Sequence, residues 1–398
     1  MESVLKNAAD LYVEGGGPVQ RMGQRLAERM GLAHSTRLRI LGFLAVTWLP
    51  LVVFAVMEGR ALGPSPQESL LLDFGTYTRF FLGVPILILA EFVIGPRLRT
   101  AGMQFVEGGF VRREDYPAFD QAIQRVARWR ESKWAELAIL SVAFLGAWGL
   151  TAETMYGEAG FATWRAPTYA TSTGLKFSLT GLWYHLVALP ILQFFWYRWI
   201  WRLIVWIIFL GSVARLKLNL VATHADQAGG LGFLGTAHVS LAILAFGLSS
   251  VLCAEAAFLI AFQQVSIDTF QIPYIVILVL VELIVLGPLL VFTPTLIRTR
   301  LDGLRAYSLL VARYNRAFHK KWVEEAAAAD ESLLGSSDIQ SLADLGTSFE
   351  SLRGMKTVPF SQLVIIQIAV ITSLPCLPLF LLVMPISKIL NLLTKAVF

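Results

Sequence analysis

PYIVILVLVELIVLGPLLVFTPTLI, residues 273–297, decides the fold. It holds a single charged side chain, Glu282, and is followed at once by Arg298-Thr299-Arg300. A bilayer core is about 30 Å thick and is crossed by about 20 mostly apolar residues in a helix. The run therefore predicts a transmembrane helix with a basic stop at one end. Working outward, comparable runs lie near residues 40–57, 80–94, 134–150, 175–197 and 236–262, with a last one near 360–384. The expected fold class is all-α, a polytopic transmembrane helical bundle of about seven spans. Composition agrees. Of 398 residues, 56% are hydrophobic and 15% charged, and mean hydropathy is +0.63. That excludes a disordered, collagenous or small disulfide-rich chain and speaks against a soluble enzyme.

The net charge of +5 invites a nucleic-acid reading until its distribution is traced. Residues 1–39 carry six Lys and Arg, residues 97–133 eight, residues 198–217 four and residues 298–356 nine. The alternate connections carry only Arg60, Arg79, Arg165 and Lys176. This is the positive-inside pattern: the N-terminus is expected in the cytoplasm of a plasma (inner) membrane. The partner is a lipid bilayer and not nucleic acid. The first apolar run starts too far in and is too long for a cleaved signal, so none is expected.

The chain divides into an N-terminal segment 1–39, a bundle 40–297, a helical segment 298–358 and a last membrane segment with its tail, 359–398. In the first, Val19, Met22, Leu26 and Met30 form a stripe beside Arg21, Arg25 and Arg29, as in a basic surface helix. Residues 117–131 place Phe119, Ile123 and Val126 on one face after Pro117. Residues 299–328 repeat Leu304, Tyr307, Val311, Tyr314, Phe318 and Trp322 at helical spacing. A further helix starts at Ser337, with Gln340 positioned for a capping box. The fourth span continues past Tyr197, predicting one long helix from Leu175 to about Lys217, kinked at Pro190. Its inner part, Leu203–Val213, would project beyond the membrane and need a cover, for which closed homo-oligomeric symmetry is the usual solution. Pro375 and Pro378 interrupt the last span, and Ile386, Ile389, Leu390 and Leu393 suggest an interfacial tail.

Charges at membrane depth are costly and mark candidate sites. Glu255, Glu282 and His185 fall in one layer of the outer half on three spans. The short 263–272 connection makes spans five and six antiparallel neighbours; Glu255 and Glu282 then either face each other and share a proton or a cation, or face different directions, each paired with a backbone carbonyl or hydroxyl. Glu91, nearer the inner rim, joins this candidate ion or proton pathway, though snorkelling or pairing with basic residues there is the favoured reading of it. The elbow 218–235 holds His224, Asp226, Gly229, Gly230 and Gly232. It reads either as an ion or headgroup site or as a packed turn whose His and Asp cap helices.

Three function classes follow. The first is an ion channel or a proton- or cation-coupled transporter. The second is a membrane scaffold or signalling component binding a cytoplasmic protein through its helices. The third is an intramembrane metal enzyme using Glu255, Glu282 and His185. No cofactor is expected, since nucleotide-binding glycine motifs, TVGYG-type filters, HExxH and GxSxG are absent. No internal repeat relates the first three spans to the next three. Cys253 and Cys376 lie inside apolar runs and form no exposed disulfide framework.

Overall fold

The computed structural model describes residues 7, 36–157, 163–165, 178–324 and 336–379; the side chains of 150–157 fall outside that description. The stripe at 19–30 and the tail at 386–393 lie outside the described residues. Among the described residues every regular element is a helix. Six are long and apolar enough to cross a membrane: α1 (Thr36–Met57), α2 (Phe74–Glu107), α5 (Leu179–Val213), α6 (Gly232–Gln263), α7 (Ile267–Glu324) and α9 (Gln362–Leu379). Between them lie α3 (Tyr116–Arg130), α4 (Lys133–Gly157) and α8 (Ser337–Arg353). The third span of the sequence reading is α4, a helix of 25 residues that is not one of the six. Outer and inner are used below in the sense of the charge asymmetry.

Helix α2 begins six residues before its apolar run. The Asp73 carboxylate accepts from the Thr76 amide and caps it, so Arg79 lies inside the span rather than before it. Helix α5 begins in the same way. The Ser178 hydroxyl accepts from the Gly181 amide. Each cap is followed by one short α-helical stretch and then a π turn, Thr78–Gly83 in α2 and Tyr184–Ala188 in α5. Each π turn is followed by proline: Pro85-Ile86-Leu87 and Pro190-Ile191-Leu192. Asp73 to Pro85 and Ser178 to Pro190 are the same number of residues. A local repeat thus joins α2 and α5, where the comparison of three spans with three had found none. Proline offers no N–H for the i→i−4 bond, and the wider preceding turn takes up that irregularity. Where a kink was expected at Pro190, the helix has this π turn just before the proline.

The main core runs along the bundle, and a group of large rings fills its inner part. Phe105 of α2, Phe119 of α3, Phe209 of α5 and Phe292 of α7 are each wholly buried, with neighbouring rings 5.8–6.4 Å apart. Trp206 stacks on Phe209 at 5.3 Å. Each such side chain contributes about 1.5–3 kcal/mol by leaving water. These rings cover one face of the Leu203–Val213 stretch from within the chain, through α3, the end of α2 and Phe292, while Ile204 and Ile207 stay exposed at 41% and 37%. Helix α5 ends at Val213, short of the expected Lys217.

Helix α7 is 58 residues long. It changes to a 3₁₀ stretch at Gly287–Phe292, following Leu286, then resumes as an α-helix. Its inner part pairs with α8, where Tyr314 donates to the Asp338 carbonyl at 3.0 Å and Lys321 meets the Asp338 carboxylate at 2.9 Å. Helix α8 starts at Ser337 as expected, but Ser336 is its cap residue and no side-chain capping bond forms. Helix α9 runs through Pro375 without breaking, by way of a 3₁₀ turn at Leu374–Cys376. It packs against both α6 and the outer part of α7.

Candidate functional site

Two ion-pair clusters link α2 to α5, one near each end. In the outer cluster, Asp73 accepts from Thr76 (amide and hydroxyl, both 2.8 Å), Trp164 Nε1 (2.9 Å) and Arg165 (2.9 Å). Burial works against its charge, but Arg165, the Thr76 amide and Arg79 together hold its carboxyl below the usual range. The Arg165 guanidinium lies 4.8 Å from the ring centroids of both Trp164 and Tyr184. Arg79, on the α2 π turn, donates to the Tyr184 hydroxyl on the α5 π turn at 2.9 Å and pairs with Glu255 of α6. Arg79 and Tyr184 occupy the same position of the local repeat. Gly75 leaves room for the Glu255 carboxylate, which a Cβ there would strike. His185 is buried beside Tyr184.

In the inner cluster, Glu91 of α2 faces three guanidinium groups: Arg202 at 3.1 Å, Arg198 at 3.4 Å and Arg39 at 4.0 Å. Arg198 and Arg202 are four apart on α5 and so share a face. Glu136 of α4, itself buried, lines a small hollow with Arg130, Arg198 and Arg202. Between the clusters and the inner end sits His238 of α6. Its Nε2 lies 2.9 Å from Trp206 Nε1 and its Nδ1 2.6 Å from the Val285 carbonyl. An indole can only donate and a carbonyl only accept, so the ring is neutral with its proton on Nδ1. It ties α5, α6 and α7 together, and the sequence reading overlooked it.

The three expected outer-layer residues do not form a common site. Glu255 pairs with Arg79, His185 lies on the α5 π turn, and both carboxylate oxygens of Glu282 are buried without a hydrogen-bond partner. Helix α9 accounts for the difference. It packs on both α6 and the outer part of α7, so a short connection does not make those two helices direct partners along their length. Among the described residues no group of three or more His, Cys, Asp or Glu gathers as a metal site, which removes the geometry that the intramembrane enzyme required. Glu91 makes the inner-rim pairing already weighed in the sequence.

The elbow is a satisfied turn. Asp226 accepts from the amides of Ala228 (2.8 Å), Gly230 (3.0 Å) and Gly232 (2.7 Å), the last being the first amide of α6. His224 Nδ1 lies 2.8 Å from its carboxylate. Burial opposes the charge of Asp226, yet the three amides and His224 outweigh it and keep the carboxyl below its ordinary range. Gln227, Gly229 and Gly230 take positive φ, and a Cβ on Gly230 would enter the Phe110 ring. The Lys356 amide donates to the Gln227 carbonyl at 2.7 Å, fastening the chain after α8 to this turn. Beside it, a groove of about 520 Å³ opens between α2, α6 and α9, lined by Arg97, Thr100, Gln104, Phe233, Thr236 and Gln367.

Among the described residues the protein is all-helical, with six helices apolar enough to contact a lipid bilayer. No protein-family model matches the chain, and no curated protein or solved structure is similar to it.

Proposed function

We propose that the protein is an integral membrane transporter of a small ion, coupled to protons or another cation. The observation carrying this reading is the double fastening of one helix pair. Helices α2 and α5 are clasped by Arg79, Tyr184, Asp73 and Arg165 on the outer side and by Glu91, Arg198 and Arg202 on the inner side. Releasing one clasp while holding the other is the movement that alternating access needs. The π turns put the wider, less regular backbone at the outer clasp, where such turns often serve function. Glu282 supplies an unpartnered carboxylate in the span for the coupled cation. The orientation belongs to the same proposal: seven spans with α4 among them, N-terminus and elbow in the cytoplasm, in the inner membrane.

A specific observation favours the scaffold as a second reading. The α7–α8 hairpin leaves Leu309 and Leu310 exposed at 63% and 49%, an apolar surface suited to a cytoplasmic protein. Reconstitution into liposomes separates the two. A transporter gives ion flux under an imposed pH or cation gradient, and Glu282→Gln abolishes its dependence on that gradient. Flux no greater than in protein-free liposomes, with protein correctly inserted, would leave the scaffold reading.

A further inference from the structure

The chain has two cysteines, Cys253 in the middle of α6 and Cys376 in the 3₁₀ turn near the end of α9. They are 123 residues apart in sequence, yet their sulfurs lie 2.6 Å from each other. A formed disulfide has its sulfurs about 2.05 Å apart, and a pair of side chains already this close is held in reach of that bond. We infer that Cys253 and Cys376 are a disulfide-forming pair that staples α9 to α6.

The surroundings suit a staple. The outer end of α9 does not join the main core. It belongs to a small separate cluster of Cys253, Ala256 and Leu379, edged by Ala257, Ile260, Ile267 and Phe270. Tyr274 of α7 donates to the Thr372 carbonyl at 3.3 Å and also meets Ser373 and Cys376 of this stretch. So little burial holds a helix end weakly, and a covalent link closing so long a loop restricts the unfolded chain strongly. Cys376 is partly exposed and Cys253 buried, which assigns their order of reaction.

The oxidant is a disulfide, R–S–S–R, carried by a small molecule or a protein on the outer side. The Cys376 thiolate attacks one of its sulfurs, forming a mixed disulfide and expelling RS⁻. The Cys253 thiolate then attacks the Cys376 sulfur and expels the second RS⁻. The two thiol protons end on two R–SH; the cysteines are oxidised by two electrons and R–S–S–R is reduced by two.

The test uses the full chain taken from membranes without reductant, with free thiols blocked by iodoacetamide at lysis. Trypsin then leaves Cys253 in residues 218–298 and Cys376 in residues 357–388. The expected product is one linked species, lighter by two hydrogens than the sum of its two peptides and separated by reductant. Recovery of both peptides unlinked and alkylated would overturn the inference. A thermal melt separates a bond from mere packing. Cys253→Ser, Cys376→Ser and the double change should lower Tm by the same several degrees, and reductant should bring the unaltered protein to that level while leaving the variants unmoved. If the substitutions lower Tm and reductant does nothing to the unaltered protein, the cysteines only pack and the inference fails.

Discussion

The two clusters on α2 and α5 use the same chemistry on different backbones. The outer one is assembled from caps, π turns and the 163–165 segment, and its charges balance: Asp73 and Glu255 against Arg79 and Arg165. The inner one sits on regular helix, with Glu91 bonded to Arg39, Arg198 and Arg202 and Glu136 beside Arg198. The outer cations have aromatic and hydroxyl neighbours to fall back on; of the inner cations Arg202 has one aromatic neighbour, Trp199 at 4.9 Å, while three guanidinium groups converge on Glu91 with Glu136 nearby. A balanced cluster on irregular backbone can lose a member and rearrange. A converging cluster on rigid helix cannot, because removing its centre leaves like charges facing one another in a poorly solvated place.

The largest effect should come from that centre. Glu91→Gln should destabilise the fold by about 3–5 kcal/mol, as expected when one partner of a buried pair is removed. Arg198→Gln, which leaves Arg202 and Arg39 in place, should cost clearly less. Thermal unfolding in detergent measures both, and equal losses would break the asymmetry drawn between the clusters. Outside, Asp73→Asn should cost about 1–3 kcal/mol, since the helix cap survives in part while Arg165 loses its counter-charge. The sign of its pH dependence is fixed. A carboxyl held below its ordinary value of 3.8 contributes in full above that value and ceases to contribute as pH falls through the lower folded value. The Tm gap between the unaltered protein and Asp73→Asn should therefore be constant at neutral pH and close in acid; a gap that widens in acid would contradict the assignment.

Gly75→Ala sharpens the comparison without altering a charge. It displaces the half-exposed Glu255 from Arg79, so Tm should fall less than in Asp73→Asn while ion flux shifts. The smallest effect is expected at Asp338, whose carboxylate meets Lys321 and Trp322 Nε1 on the exposed α7–α8 hairpin. Exposed pairs contribute little, and Asp338→Asn should leave Tm unmoved. A measurable fall would mean that the hairpin is held more tightly than its exposure implies.

The spans were legible because length and apolarity alone report them; α6, α7 and the inner pairing of Glu91 needed nothing more. The start of α2 was not. Arg79 looked like a boundary, since a lone arginine ends an apolar run, and only its partners Tyr184 and Glu255, 105 and 176 residues away, make it an interior residue. Asp73 and Ser178 ahead of Pro85 and Pro190 were a readable hint of paired irregular helices. The π turns themselves have no residue signature. Sequence separation says nothing of a third helix packing on the spans of both Glu255 and Glu282, and the meeting of Cys253 with Cys376 was hidden for the same reason.

The 3₁₀ stretch Gly287–Phe292 gives α7 a mechanical meaning. From Gly287 to Glu324 the helix extends about 57 Å. It is a lever arm pivoted within the inner half of the apolar run, with Leu289 and Phe292 of the pivot wholly buried. A tilt of about 5° at that pivot swings the far tip by about 5 Å over such an arm. A displacement too small to disturb the packing around Phe292 would therefore be magnified into one that a bound protein, or a spin label at the tip, could register.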